Sequence, residues 1–277
     1  MEPFSMALVV IVGIFAGSLG AMLGLGGGLI MIVFFVLALN LPIHTAVALS
    51  LLAVIASSSM AGSVYTRDKL TNIKLSIVLE TCSVTGAILG TLLALFLPLI
   101  FTEAVLVIVL FYASFMMLRS QISEVIIPPV EGKGSLQGEF YDTTKQKRIK
   151  YSPIRVRLGM VSSAVAGAIS GVVGIGGGIV VVPIMNLLMK VPMKASAATS
   201  NFMVGVTAAA SALLYFNEGL VDLTVAVPTV VGVMMGAYIG TRLIVKIRTV
   251  LLKRLFGIMV IFFAVVIILR AAGVFAF

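Results

Sequence analysis

Three features of this sequence point to an all-α polytopic membrane protein of two inverted repeats, each a glycine-turn broken or re-entrant helical hairpin plus three transmembrane helices. Hydrophobic residues fill 61% of the 277 positions, and only 10% of positions are charged. Apolar runs of about 20 residues, enough to cross a bilayer at about 1.5 Å rise per residue, recur along the whole chain. A block of residues also returns without gaps 150 positions after its first appearance.

The composition, with a mean hydropathy of +1.23, leaves too little polar surface to cover a soluble core of this length. Hydrocarbon offers no partner for free amide and carbonyl groups, so spanning segments must be helices or a closed barrel. Barrel strands would alternate in polarity over roughly ten residues, whereas these runs are continuously apolar. The opening Met1-Glu2-Pro3-Phe4 has no basic region and no small-residue cleavage site, so no removable signal peptide is expected. Cys82, the one cysteine, lies in an apolar run and is expected to be a small packing residue. The net charge of +9 comes without a basic helix or an aromatic-interleaved patch. Orientation in the bilayer is the simpler use for that charge, and no nucleic-acid partner is expected.

The repeat is read from paired residues. Gly24-Leu25-Gly26-Gly27-Gly28 returns as Gly174-Ile175-Gly176-Gly177-Gly178. The same shift relates Gly17 to Gly167, Pro42 to Pro192, Ser50 to Ser200, Tyr65 to Tyr215, Gly86 to Gly236, Gly90 to Gly240 and Thr91 to Thr241. The expected organisation is a first transmembrane repeat over 1–118, a linker over 119–156 and a second repeat over 157–277. In each repeat an apolar run (4–23, 157–173) enters the glycine cluster, and an apolar stretch (29–39, 179–189) ends at a proline-containing break. Such a stretch covers about 15 Å, half the hydrocarbon thickness, so it is expected to be a half-helix. Three full spans complete each repeat, near 45–65, 76–98 and 101–118, then 195–216, 223–243 and 252–272.

Charge sets the topology. If each glycine element returns to its own side, eighteen of the nineteen basic residues share one face, with Arg270 left over. The positive-inside rule makes that face cytoplasmic, with the 119–156 linker inside and both termini outside the plasma membrane. Each repeat then crosses an odd number of times, so the two are inverted, as in alternating-access secondary transporters. The linker reads as a solvated cytosolic tether. Within it, Phe140-Tyr141 and Ile149-Lys150-Tyr151 flank a turn suited to a short β-hairpin.

The glycine clusters are the candidate site. Glycine lets backbone approach a ligand, and a helix starting there presents unpaired N–H groups and its positive dipole end. Two such ends converging near the midplane would bind a small anion with backbone alone. The candidate substrate-binding residues are Gly24, Gly26, Gly27, Gly28, Gly174, Gly176, Gly177 and Gly178. Hydroxyl and amide groups on the following spans could complete the site: Ser50, Ser57, Ser58 and Ser59, then Thr199, Ser200, Asn201 and Thr207. Gly86/Gly90 and Gly236/Gly240 have the small-xxx-small spacing of close helix packing.

With Glu103 placed at the outer face, the spans hold no Asp and one Glu, and the single histidine, His44, sits beside Pro42. That inventory disfavours a metal permease and an embedded enzyme, and no cofactor or metal is expected. Glu80 is a candidate for proton coupling, against the plainer reading of an interfacial carboxylate paired with Lys74. A passive anion channel remains the first alternative to a carrier, and a non-transporting assembly factor is a further one. Nothing in the residues sets an oligomeric state.

Two GxGGG clusters, each opening one half of a helix-only membrane protein, resemble the TauE/SafE sulfite exporter family. The second matches best: Gly174-Ile175-Gly176-Gly177-Gly178 is followed by Pro183, with Ala198-Thr199-Ser200 downstream. The first departs from the proline-containing form, having Val33 at the place of Pro183. The resemblance covers the chain apart from the linker. It implies transport, by export, of a sulfur-containing anion such as sulfite, thiosulfate or an organosulfonate.

Overall fold

The same order of elements appears twice at the same offset. A computed structural model describes residues 3–96, 107–108, 111–112, 114–115, 136–142, 146–174 and 176–271. The first repeat contains α1 (Pro3–Leu23), α2 (Gly28–Ala38), α3 (Ile43–Arg67) and α4 (Ile73–Phe96). A hairpin follows, formed by β1 (Gly138–Asp142) and β2 (Lys147–Tyr151). The second repeat contains α5 (Val156–Val173), α6 (Gly178–Pro183), α7 (Met193–Asn217), α8 (Leu223–Ile244) and α9 (Thr249–Ala271).

Among the described residues, 7 helices are long and apolar enough to cross a membrane. The span expected at 101–118 lies mostly outside the described residues. Its described positions are helical, and the Ser114 hydroxyl donates to the Gly257 carbonyl of α9 at 2.8 Å. The half-helices are present at Gly28–Ala38 and Gly178–Leu188. They differ where the sequence differs. α2 stays α-helical through Val33, whereas α6 meets Pro183 and continues as a π-helical turn over Ile184–Leu188. Proline removes a backbone donor and its ring crowds the preceding turn, and the wider helix accommodates both.

α3 and α7 form the centre of the bundle. Ser58 of α3 lies against Gly205 of α7 and Gly62 against Phe202, so these two corresponding helices run in opposite directions. The flanking contacts exchange partners between repeats: α1 packs on α8, and α4 on α5. A Cβ on Gly17, Gly236 or Gly240 would overlap a carbonyl oxygen of Val233, Ile14 or Ser18 across the α1–α8 contact. A Cβ on Gly86, Gly90 or Gly167 would do the same to Ala164, Ala168 or Ser83 across α4–α5. Within each pair the contacting residue numbers rise together, so these helices run parallel at backbone distance. The glycines expected to pack helices do so.

The linker differs from a solvated tether. β1 and β2 pair antiparallel with Gly138 opposite Tyr151 and Phe140 opposite Ile149. Phe140 is buried against Tyr151, which is 2% exposed, and burial pushes the Tyr151 phenol up to about 12. Asn72, in the α3–α4 turn, donates its side-chain amide to the Leu136 carbonyl at 2.9 Å. The Asn72 N–H donates to Thr199 Oγ1 at 3.0 Å, so this turn also touches α7. Lys194, at the start of α7, donates to Asp142 Oδ1 at 2.9 Å, with both side chains 3% exposed. Its ammonium also reaches the Val245 carbonyl at 3.3 Å, and the Ile154 N–H reaches the Met189 carbonyl at 3.1 Å. Residues 136–142 and 146–154 therefore dock on both repeats at one end of the bundle. Tyr151 and Phe140 supply the apolar footing, and Asp142 the countercharge to a lysine that the helix start would otherwise bury.

At the opposite loop, Asp222 caps α8 by accepting from the Thr224 backbone N–H at 2.8 Å and from the Thr224 hydroxyl. Those bonds, the side-chain one foremost, hold the Asp222 carboxyl below the usual aspartate range. Asp222→Ala is expected to cost about 1 kcal/mol, the ordinary worth of an N-cap. Because the folded pKa is depressed, this difference is full above the ordinary pKa of about 3.9 and fades as pH falls through the lower folded value. Melting curves of the two proteins at neutral and acid pH check it.

Candidate functional site: two glycine turns at the centre

The GxGGG spacing requires a backbone that only glycine adopts cheaply. Gly24, Gly26 and Gly27 have φ of 79°, 68° and 77°, and Gly174, Gly176 and Gly177 have 77°, 73° and 74°. A side chain in that left-handed region costs roughly 1–2 kcal/mol per residue, so three such positions in four residues select glycine. Gly27 and Gly177 immediately precede the first residues of α2 and α6. All eight cluster glycines are buried.

The two turns lie against each other. A Cβ on Gly178 would overlap the Gly24 carbonyl, and one on Gly28 would come within 3.5 Å of the Gly174 carbonyl. Gly26 and Gly176 both face the side chains of Val54 and Val204, one from each central helix. The starts of α2 and α6 thus share one neighbourhood, with backbone as its chief polar component.

The serines and tyrosines predicted or paired by the repeat hold the turns in place. Ser50 donates to the Gly174 carbonyl at 2.9 Å, and its counterpart Ser200 donates to the Gly24 carbonyl at 2.8 Å. Each repeat therefore fastens the turn of the other. Ser57 donates to the Gly26 carbonyl within its own repeat. Tyr65 donates to the Ala21 carbonyl at 2.9 Å, and its counterpart Tyr215 to the Gly171 carbonyl at 3.3 Å. Asn201 gives its amide to the carbonyls of Ala21 and Ala197, at 2.7 and 3.0 Å. Its Oδ1 is buried and has no hydrogen-bond partner among the described residues.

The remaining candidates sit elsewhere. Thr199 accepts from the Asn72 N–H of the α3–α4 turn. Ser58 bonds back to Ile55 at 3.4 Å, and Ser59 is exposed on the outer side of α3. Thr207 donates to Glu80 Oε1 at 2.8 Å and lies 3.1 Å from the Ser83 hydroxyl. Glu80 does not pair with Lys74. The lysine is exposed, while Glu80 is buried between α4 and α7. Six residues along a helix turn the side chain onto a different face, so the two cannot meet across one turn.

Sequence reasoning gave no role to Tyr65 and Tyr215, although their recurrence at the repeat offset was the available signal. Ser83 and Asp142 carried no signal, since their partners lie 124 and 52 residues away.

A bundle of spanning helices with two buried, mutually fastened turns at its centre is a multi-pass membrane transporter architecture, and comparison with known proteins agrees. The profile of the family "Sulfite exporter TauE/SafE" matches residues 9–267, and the chain belongs to that family. It is 24% identical over 253 residues to the "probable membrane transporter protein YunE" of Bacillus subtilis, covering 88% of this chain and 90% of the relative. A second Bacillus subtilis protein of that description, YdhB, is 24% identical over 89% of this chain and 93% of its own. A "probable membrane transporter protein" of Xylella fastidiosa is 36% identical over 42% of this chain and 46% of its own length. No solved structure matches the chain.

Proposed function

We propose that the protein is a secondary carrier that exports a small sulfur-containing anion, such as sulfite, thiosulfate or an organosulfonate, by alternating access around the glycine turns. The observation that carries this reading is the reciprocal fastening of the turns by Ser50 and Ser200. A carbonyl oxygen repels an anion. Engaging the Gly24, Gly174 and Gly26 carbonyls with serine hydroxyls leaves the amide groups at the starts of α2 and α6 as the groups an anion meets. Those two helix starts are the positive ends of short dipoles, and no buried lysine or arginine has to be maintained beside them.

The halves are inverted repeats in this reading. It is supported by the opposite directions of α3 and α7 and by the exchanged pairs α1–α8 and α4–α5. The docked hairpin, the α3–α4 turn and the start of α7 share one end. That end carries most of the basic residues, so it is assigned to the cytoplasm and the termini to the outside. The substrate-binding set is Gly24, Gly26, Gly27, Gly28, Gly174, Gly176, Gly177 and Gly178, with Ser50, Ser57, Ser200 and Asn201 shaping it. Thr199 and Thr207 link α7 to the α3–α4 turn and to α4.

Purified protein in liposomes provides the test, with tracer or solid-supported-membrane currents for sulfite, thiosulfate, sulfoacetate, taurine and a divalent metal. Saturable counterflow of one or more sulfur anions is expected. Movement of the metal alone would overturn the reading, and unsaturable anion flux without counterflow would make the protein a channel.

A further inference from the structure

Among the described spanning helices Glu80 is the one acidic residue, and it is 8% exposed. It lies where α4 of the first repeat meets α7 of the second. Its Oε1 accepts from Thr207, while Oε2 is buried with no hydrogen-bond partner among the described residues. An ionised carboxylate offers about four acceptor sites, and one donor leaves most of them empty. Carboxyls in the bilayer interior are costly to keep unless they serve a pathway or a relay.

Among the described residues, no cation faces it from the elements packed there. On α4, Lys74 is exposed. On α5, Arg157 is exposed in the first turn. On α7, Lys194 is held by Asp142, and the Tyr215 hydroxyl donates to the Gly171 carbonyl.

The repeat shows what this carboxyl displaces. Ser57, the counterpart of Thr207, donates to the Gly26 carbonyl of the first turn, and the counterpart of Glu80 is Val230. Thr207 occupies the position from which the second turn would be held in the same way, but its hydrogen goes to Glu80. The pseudo-symmetry breaks at this polar contact.

We propose that Glu80 is the proton-binding group of the carrier and that Thr207 relays its protonation state to the second glycine turn. The inference rests on the carrier reading above. With Glu80 ionised, Thr207 donates to the carboxylate. When Glu80 takes a proton, its single O–H donates to the Thr207 hydroxyl, which lies 2.8 Å away. Thr207 is then released to hold the Gly176 carbonyl, as Ser57 holds Gly26. One proton is bound from solution and one is returned, with no other bond made or broken.

The test uses the full chain in liposomes with a trapped pH dye and thiosulfate, an anion that carries no proton of its own at neutral pH. In wild type a thiosulfate gradient is expected to move protons, and a pH gradient to drive thiosulfate accumulation. Glu80→Gln is expected to lose both and to flatten the pH profile of thiosulfate exchange, whereas Glu80→Asp keeps a sloped one. Thr207→Val is expected to lose the coupling while the carboxyl still takes up its proton. Proton movement in Glu80→Gln, or wild-type thiosulfate flux without protons, overturns the proposal. If wild type moves neither thiosulfate nor any other sulfur anion of the panel, the anion reading fails, and infrared difference spectra still decide the role of Glu80. A protonated-carboxyl band that changes with pH and vanishes in Glu80→Gln supports it, and absence of that band in wild type refutes it.

Discussion

Asp142→Ala is expected to destabilise the folded protein by about 3–5 kcal/mol, the cost of leaving a buried charge without its counterion. Lys194 is 3% exposed, and its ammonium lies 2.9 Å from Asp142 Oδ1. Taking both ions out of water is expensive, and their mutual attraction offsets that cost only while both are present. The surviving bond to the Val245 carbonyl is a dipole contact and cannot replace a full charge. Replacing both partners by apolar residues, as in Asp142→Leu with Lys194→Met, removes the stranded charge and is expected to recover most of the loss. Thermal unfolding in detergent measures both variants. A single variant as stable as wild type would mean that the ammonium reaches water when the hairpin is altered.

The second large effect concerns transport rather than stability. Gly27→Leu and Gly177→Leu are each expected to abolish anion counterflow in liposomes while the protein remains monodisperse. At Gly27 φ is 77°, and a Cβ would come 2.7 Å from the Ala16 carbonyl oxygen. At Gly177 φ is 74°, and the nearest atom to a Cβ is the Ala166 carbonyl oxygen at 3.4 Å. The conformational penalty is roughly 1–2 kcal/mol per site, which a bundle of this size withstands. The side chain, however, would press on Ala16 of α1 or Ala166 of α5 and displace the turn that starts α2 or α6. Unchanged counterflow in both variants would remove the turns from the transport pathway.

Much of this architecture was legible because it is local or repeated. Half-helix length, the proline break and the offset of 150 residues are properties of contiguous sequence, and the structure places α2 and the α6 segment within one residue of the expected bounds. The glycine pairs Gly86/Gly90 and Gly236/Gly240 were legible as packing faces because their spacing puts both on one side of a helix. Their partners were not, since nothing local says that α4 seeks α5 rather than a neighbour in its own repeat. The same limit applies at the site. Ser50 and Ser200 could be chosen as polar residues near the glycines, but the crossing of their bonds from one repeat to the other depends on the tertiary arrangement. Lys74 looked like the partner of Glu80 only because it is near in sequence; the actual donor, Thr207, is 127 residues distant. The linker was misread because a stretch of mixed charge reads as solvated, whereas Asp142 is spent on a lysine of α7.

The glycine contacts of α1 with α8 and of α4 with α5 bear on how such a molecule can move. At each seam a methyl group would already collide with the opposite main chain, so neither pair has room to slide through a side-chain layer. Each welded pair takes one strut from the front of the gene and one from the back. Under the proposed alternating access, the bodies that shift would therefore be hybrids, and neither would correspond to one of the two repeats. Cutting the chain between its two homologous parts would divide both bodies at once.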